Sequence, residues 1–293
     1  MNTGLDVRVA IRDANAVFGR FPARMSLPYV LLGLLSATMA AWLQPDNPSP
    51  DNKLLLHSLG FMVFSFISFW LYCFIEVVVS TMYLRTRAGE EPGTKQVGEA
   101  LQYCGFASLT WGLILRYLGW FLVLVVPLAI AIGVITVIVN GIAGPTSGIG
   151  ATAGGVGHGF AIVTGVIVGV AFLIVLTLIY CRYMFVFPMF AIERGADCGF
   201  LDECVRRTKT VWKTAALVLI VGMIPAFLIA GIQMLARGHW TPPHGVHIAI
   251  ELAVALVNGC YAAWFMLVKT GLAMQLMSLP PPQIEPVGDG AAI

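Results

Sequence analysis

The amino-acid sequence predicts an all-α integral membrane protein with six transmembrane helices. Of its 293 residues 58% are hydrophobic and only 11% are charged, whereas a soluble domain carries about 25% charged residues. Six apolar segments reach the length of about 20 residues with which a helix crosses a bilayer. They are residues 25–43, 54–84, 117–139, 160–187, 215–235 and 246–277. Because lipid offers backbone groups no hydrogen-bond partners, each span is expected to be a helix.

The distribution of basic residues along the chain predicts the orientation of the protein in the membrane. All of the 17 Lys and Arg residues except Lys53 and Arg237 lie before span one, between spans two and three, at or after the inner end of span four, or near the inner end of span six. Because basic residues concentrate on the cytoplasmic side, both termini are predicted to be cytoplasmic. We therefore expect a multi-pass protein of the bacterial inner (plasma) membrane. The net charge of +2 excludes a basic surface for nucleic acid.

The first two spans are predicted to follow a short amphipathic helix that lies along the membrane surface. Leu5, Val9, Val17 and Phe18 supply the apolar positions of this helix. Span two, at residues 54–84, is long enough to project beyond the bilayer. An interfacial helix, a span, an outer loop and a second span thus make up one structural unit.

The same unit recurs twice along the chain. Residues 87–93 match residues 193–199 without a gap, and a short amphipathic stretch follows each segment. The apolar faces of these stretches are predicted to contain Val97, Ala100, Leu101 and Cys104 in one copy and Leu201, Cys204, Val205 and Thr208 in the other. The prediction is a single six-helix domain at 1–280, with repeats at about 4–93, 94–199 and 200–280, and a disordered cytoplasmic tail at 281–293. The alternative is that any six-helix chain divides into three pairs.

A longer segment carries a family resemblance. Residues 182–193 and 199–208 resemble a recurrent segment of bacterial six-helix membrane proteins, namely the YciC-like proteins and the membrane domain fused to some glycerophosphodiester phosphodiesterases. These proteins have an Arg-Tyr turn, a proline, an acidic residue near a glycine, and a helix that ends in basic residues before a tryptophan, here Trp212. Residues 118–127 resemble the preceding span, and the similarity covers residues 90–235. It implies the six-helix fold and a membrane location. It implies no activity, because the soluble phosphodiesterase domain has no counterpart here.

Three charged residues lie at equivalent depths near the inner ends of spans two, four and six. They are Glu76, Arg182 and Lys269. A charge inside a span costs about 2.5–3.5 kcal/mol at the helix centre and less near an interface. Glu76 is therefore expected to pair with Arg182 or Lys269, or the three residues form a basic pocket for an anionic lipid headgroup. The alternative is that Arg182 and Lys269 extend to the interface while Glu76 forms a purely structural pair.

A second set of basic residues lies on the interfacial helix of the third unit and just after it. The set consists of Arg206, Arg207, Lys209 and Lys213. Basic side chains on an amphipathic helix attract anionic lipids. We therefore expect these residues to contact the cytoplasmic leaflet.

Histidines cluster between spans five and six. His239, His244 and His247 lie in this segment, and Glu251 follows His247 by one helical turn. Imidazole and carboxylate ligands suit Zn and Cu, so a metal site on the outer face is one hypothesis. Because the spacing matches no standard metal motif, the competing interpretation is a set of ordinary interface residues.

The sequence contains no recognisable catalytic constellation. We therefore predict a non-enzymatic inner-membrane protein with an envelope role, either a scaffold or a lipid-interacting accessory, that needs no cofactor. Its expected partners are anionic membrane lipids and not nucleic acid, and a homo-oligomer or a membrane-protein partner is left open. The alternatives are a transporter or permease for a small or lipid-like solute and a metal-binding protein of the outer face.

Overall fold

A computed structural model describes residues 5–43, 52–142, 177–196, 199–239 and 244–279. The helices are α1 (Val7–Arg20), α2 (Pro22–Leu43), α3 (Asn52–Arg87), α4 (Thr94–Leu101), α5 (Phe106–Ile142), α6 (Val186–Glu193), α7 (Phe200–Thr210), α8 (Trp212–His239) and α9 (His244–Ser278). Residues 177–183 are also helical. The described residues contain no β-strand, only an isolated bridge between Cys104 and Gly195. The predicted all-α class is confirmed for this part of the chain.

Two of the described helical segments are long and apolar enough to cross a membrane. These segments are Met62–Arg87 in α3 and Leu252–Ser278 in α9. A third candidate arises if α7 and the first part of α8, Trp212–Pro225, are counted as one span, although the two segments meet at an angle of 89°. Most of predicted span four and the predicted tail at 281–293 lie outside the described residues.

The N-terminal helix α1 packs against α9 and α2. The Asp6 carboxylate caps it by accepting hydrogen bonds from the backbone N–H groups of Arg8 and Val9, at 3.0 and 3.1 Å, which satisfies donors that a helix N-terminus leaves free. Ala10 and Ala14 are fully covered on its inner face. The helix is therefore amphipathic, as the sequence predicts.

The core of the described bundle lies between α1, α2, α3, α6 and α9. Gly259 of α9 allows the closest approach to α2, because a Cβ atom at this position would lie 2.8 Å from the backbone nitrogen of Val30. Small residues permit such close helix packing in membranes. The largest wholly buried aromatic side chains are Tyr83, Phe185 and Phe190.

The inner face of α4 differs from the predicted one. Gln96 and Ala100 are buried, whereas the Leu101 side chain is 68% exposed. The Gln96 side chain accepts the N–H of Gly93 at 2.8 Å and donates to the Glu91 carbonyl at 3.1 Å. A buried amide is tolerated when its polar atoms are bonded. Of the predicted apolar face, Val97 and Ala100 are covered, whereas Leu101 is exposed and Cys104 lies beyond the end of the helix.

The loops after α4 and α6 meet at the isolated bridge. The Ala196 N–H donates to the Cys104 carbonyl at 3.2 Å. Gly105 adopts φ +86° and lies so close that an added Cβ would be 2.6 Å from the Ala196 carbonyl oxygen. Only glycine fits this combination of a left-handed backbone and a close contact. The bridge holds the amphipathic helices α4 and α7 in a fixed relation to α6.

Candidate functional site

The most unusual feature inside the bundle is a buried ion pair between α3 and α9. The Lys269 ammonium donates to Glu76 Oε1 at 2.6 Å. The two residues are 1% and 4% exposed, so almost no solvent reaches either charge. Burial of a single charge in an apolar interior is very unfavourable, whereas a hydrogen-bonded pair of opposite charges offsets much of this cost.

Two hydroxyl groups continue the contact beside the ion pair, because Ser80 lies one turn after Glu76 in α3 and Thr270 directly follows Lys269 in α9. The side-chain oxygens of Ser80 and Thr270 lie 3.0 Å apart. Each hydroxyl is also within hydrogen-bond distance of a carbonyl in the preceding turn, Ser80 with Glu76 at 2.7 Å and Thr270 with Met266 at 2.9 Å. These two hydroxyls are therefore paired within the contact between α3 and α9, which favours one register of the two helices.

Aromatic rings surround the ion pair. The Lys269 ammonium lies 5.8 Å from the centre of the Tyr180 ring, within the range of a cation–π interaction. The rings of Tyr29 and Tyr72 meet edge to face with their centres 6.0 Å apart, and the buried Cys73 lies one turn before Glu76. The Tyr180 ring therefore lies beside the ammonium of the pair.

Arg182, the third predicted member of the charged set, lies apart from the pair. Its side chain is exposed, and its guanidinium stacks over the Trp120 ring at 5.6 Å. The neighbours Cys181 and Tyr183 are buried, so the chain turns Arg182 outward from a packed segment. Of the two partners that the sequence leaves open for Glu76, the structure places Lys269 against it.

The predicted interfacial basic residues fall into two groups. Arg206 and Arg207 both form ion pairs with Glu203, and the Arg207 Nε–Oε1 distance is 2.6 Å. Lys209 and Lys213 are exposed and have no ion-pair partner among the described residues. Two of the four predicted lipid contacts therefore share one carboxylate, which offsets one of their two positive charges.

The predicted metal ligands lie largely outside the described residues. His239 ends α8 and His244 begins α9, but the side chains of these two residues, His247 and Glu251 are not among those described. The described part of the chain contains no group of three metal-ligating side chains. The metal site stays a prediction.

A network of ion pairs near α4 is the feature that sequence reasoning missed. Arg85 of α3 donates two hydrogen bonds to Glu99 of α4, at 2.9 Å and 2.5 Å. Arg24 pairs with Glu91 at 2.8 Å. Because the two residues are 67 positions apart in the sequence, no local sequence pattern predicts this pair. These contacts connect α4 and the segment just before it to α3 and α2.

The hydrogen bonds from Arg85 also change the acidity of Glu99. They hold the pKa of its carboxyl below the ordinary value of 4.5, since they stabilise the ionised form. A two-pronged arginine–carboxylate contact is among the stronger ionic hydrogen bonds in proteins. Glu99 and Arg85 are mostly covered, with 20% and 29% of their side chains exposed. This contact therefore fixes α4 against α3.

Comparison of the chain with protein-family models, with curated proteins and with solved structures finds no match. The resemblance to YciC-like membrane proteins therefore stays a prediction, and the candidate site rests on its geometry. Within the described residues, that geometry consists of a sealed ion pair in the core and basic side chains on the exterior helices.

Proposed function

We propose that this chain is a six-span inner-membrane protein with a non-enzymatic envelope role, as a scaffold that interacts with anionic lipids. The observation that carries the proposal is the burial of Glu76 and Lys269 against each other in a packed core. A charge pair used for structure is sealed and satisfied in this way. A pair used for solute binding has to face a cavity.

The same observation weighs against the permease alternative. A permease site built from the charged set needs a cavity that Glu76, Arg182 and Lys269 line together. Arg182 instead lies outside, over Trp120, and the Tyr180 ring lies beside the Lys269 ammonium. The hydroxyl contact between α3 and α9 closes the seam. These contacts favour a fixed joint between the second and last spans.

The even number of spans and the common side of the termini are part of the proposal. Support comes from the contact between the start of α1 and the end of α9. The Asp6 N–H donates to Gln275 Oε1 at 2.7 Å, and Gln275 Nε2 donates to the Asp6 carbonyl at 3.0 Å. A chain whose two ends meet at one face of a membrane crosses it an even number of times.

The threefold repeat is also proposed, and helix starts support it. Gly93 and Gly199, which correspond in the sequence register, are the N-cap residues of α4 and α7. α7 meets the following helix at 89°, the geometry expected for an interfacial helix that leads into a span. An interfacial helix at the start of each unit would anchor the bundle at the cytoplasmic leaflet.

Lipidomics of protein extracted directly in copolymer nanodiscs tests the proposed function. The expected result is enrichment of anionic phospholipids over the bulk membrane, with no stoichiometric small solute. The variant Glu76→Gln/Lys269→Met should retain the same lipid composition, because the pair has only a structural role. A solute that is retained by wild type and lost in this variant would instead support the permease alternative.

A further inference from the structure

An open apolar groove of about 420 Å³ runs along the outer face of α9 beside the end of α1. It is lined by Phe18 of α1 and by Leu256, Val257, Cys260, Tyr261 and Trp264 of α9. The two strong polar atoms of this lining are already bonded within the protein. Tyr261 Oη donates to the Gly222 carbonyl at 2.6 Å, and Trp264 Nε1 donates to Asn15 Oδ1 at 2.7 Å. The groove therefore presents a hydrocarbon surface.

The hydrogen bond from Trp264 connects this groove to the charged face of α1. Asn15 lies at the groove, and Arg12 and Arg8 precede it by three and seven residues on an α-helix. Residues at such spacings share one helical face. The face of α1 that carries Asn15 at the groove therefore also carries Arg12 and Arg8. We call these residues the arginine stripe.

The charges of this stripe are uncompensated. Arg8 and Arg12 are exposed, and neither has an ion-pair partner within the described ranges. The two acidic residues beside them are already used, because Asp6 caps the helix and Asp13 pairs with Arg87 at 3.3 Å. In α7, by contrast, Arg206 and Arg207 both contact Glu203, so one of their two positive charges is offset within the helix. The described arginine pair best placed for an anion is thus on α1.

We propose that α1 and α9 together bind one anionic phospholipid, whose acyl chain lies in the groove and whose headgroup phosphate contacts Arg8 and Arg12. The Asn15 amide lies between the two parts of the site. The inference deepens the proposed lipid-interacting function and rests on it. It names the N-terminal helix, rather than α7, as the specific lipid site.

A phospholipid fits this arrangement because one molecule joins an uncharged chain to an anion, as the groove and the arginine stripe require. Basic side chains near a membrane surface attract anionic lipid with an effect of about fivefold in affinity for each charge. An apolar groove gives no preference between lipid headgroups. The preference for an anionic lipid should therefore depend on the arginines, and overall retention on the groove.

Native mass spectrometry of the full chain in detergent measures the first bound lipid. Wild type should bind phosphatidylglycerol more tightly than phosphatidylcholine. Arg8→Gln/Arg12→Gln should reduce phosphatidylglycerol affinity by about fivefold for each arginine and leave phosphatidylcholine unchanged. The matched control Lys209→Gln/Lys213→Gln removes the same charge from the other interfacial region and should retain the preference. Val257→Trp, which fills the groove from an exposed position, should weaken both lipids equally.

Two outcomes would overturn the inference. One is equal affinity of wild type for the two lipids, and the other is an equal loss in the arginine and lysine variants, which would indicate a diffuse surface charge. Flotation of wild type with phosphatidylcholine–phosphatidylglycerol vesicles separates this inference from the proposed function. A protein that fails to float contradicts both proposals, whereas a protein that floats without lipid preference contradicts only the specific site.

Discussion

At the scale of single residues, the ion pair of Glu76 and Lys269 decides how α3 and α9 fit together. Two charges within a packed interior tolerate almost no displacement, because separation leaves each one desolvated and unpaired. The pair therefore selects one register between these helices, and the adjacent hydroxyl contact between Ser80 and Thr270 selects the same one. Such a pair contributes more to specificity than to net stability.

Removal of one partner of the pair should be costly. Lys269→Met leaves the Glu76 carboxylate buried without a counter-charge and should destabilise the protein by about 3–5 kcal/mol. The double variant Glu76→Leu/Lys269→Met should recover most of this loss, because no charge then remains in the core. Thermal unfolding in detergent, followed by circular dichroism, measures both effects. Single variants as stable as wild type would show that the pair has no structural role.

Arg182, the third member of the predicted charged set, offers a matched test. Its guanidinium is exposed and contacts only the face of Trp120 among the described side chains, an interaction of about 0.5–1 kcal/mol at exposed sites. Arg182→Gln should therefore lower stability by at most about 1 kcal/mol in the same unfolding measurement. A loss as large as that of Lys269→Met would indicate that Arg182 belongs to the core network.

At the scale of helices, a close contact between backbones holds α2 and α9 together. Gly259 of α9 meets Val30 of α2 so closely that a methyl group has no space. The contact involves the Val30 backbone nitrogen as well as its side chain, so a rotamer change cannot relieve it. In a membrane, where hydrophobic burial does not drive helix association, such contacts supply much of the packing energy.

The substitution Gly259→Ala should weaken the α2–α9 contact. An added methyl group in a packed interface costs about 1–3 kcal/mol, so the midpoint of unfolding should fall. Gly119→Ala is the matched control, because a Cβ there meets nothing within 4 Å. The control should lose no stability. Equal behaviour of the two variants would mean that α2 and α9 do not pack as described.

The contact between α3 and α4 should depend on pH through Glu99. Its pKa is lowered by Arg85, so ionised Glu99 stabilises the fold above pH 4.5 and this contribution is lost as the pH falls through the lowered value. Glu99→Gln should therefore be less stable than wild type at neutral pH, and the difference should vanish in acid. Unfolding midpoints measured across this range test the prediction.

The exposed pair of Arg24 and Glu91 is the control for that series. The Glu91 side chain is 72% exposed, and exposed ion pairs contribute about 0–1 kcal/mol. Glu91→Gln should change the unfolding midpoint less than Glu99→Gln at neutral pH. A difference between wild type and Glu99→Gln that persists below the acid transition would contradict the assigned role of the carboxylate.

At the scale of the whole molecule, the first and last helices close the bundle. α1 and α2 pack on α9, the N–H of Asp6 bonds to Gln275, and Asn15 bonds to Trp264. Contacts between the two ends of a chain define a closed arrangement rather than an open row of hairpins. This closure positions the proposed lipid groove between α1 and α9.

The proposed six-span topology predicts at which positions of the chain a fused topology reporter is active. A fluorescent protein that matures only in the cytoplasm should fluoresce at either terminus. A phosphatase that is active only outside the cytoplasm should be active when inserted in segment 145–157. Because the proposal has an even number of spans, both termini must give the same result. Opposite results at the two termini would contradict it.

Sequence reasoning succeeded where a pattern is local. The run of apolar residues predicts α3 and α9. Of the residues predicted for the apolar face of α1, Leu5 and Val17 are buried and Phe18 packs against the core. It failed at α4, where periodicity placed Leu101 inside and overlooked Gln96. The buried glutamine is stabilised by hydrogen bonds to the backbone of residues 91 and 93, which a hydropathy pattern does not detect.

The sequence by itself determined the helical class of the described residues and the presence of helices long and apolar enough to cross a membrane, because long apolar segments in a bilayer leave few structures other than helices. It also placed charges at the ends of predicted spans. Only the tertiary structure decided that Glu76 meets Lys269, that Arg182 turns outward, and that Arg206 and Arg207 share Glu203. These choices depend on which helices are neighbours in space, and contacts between residues as far apart as 193 positions leave no signal in local periodicity.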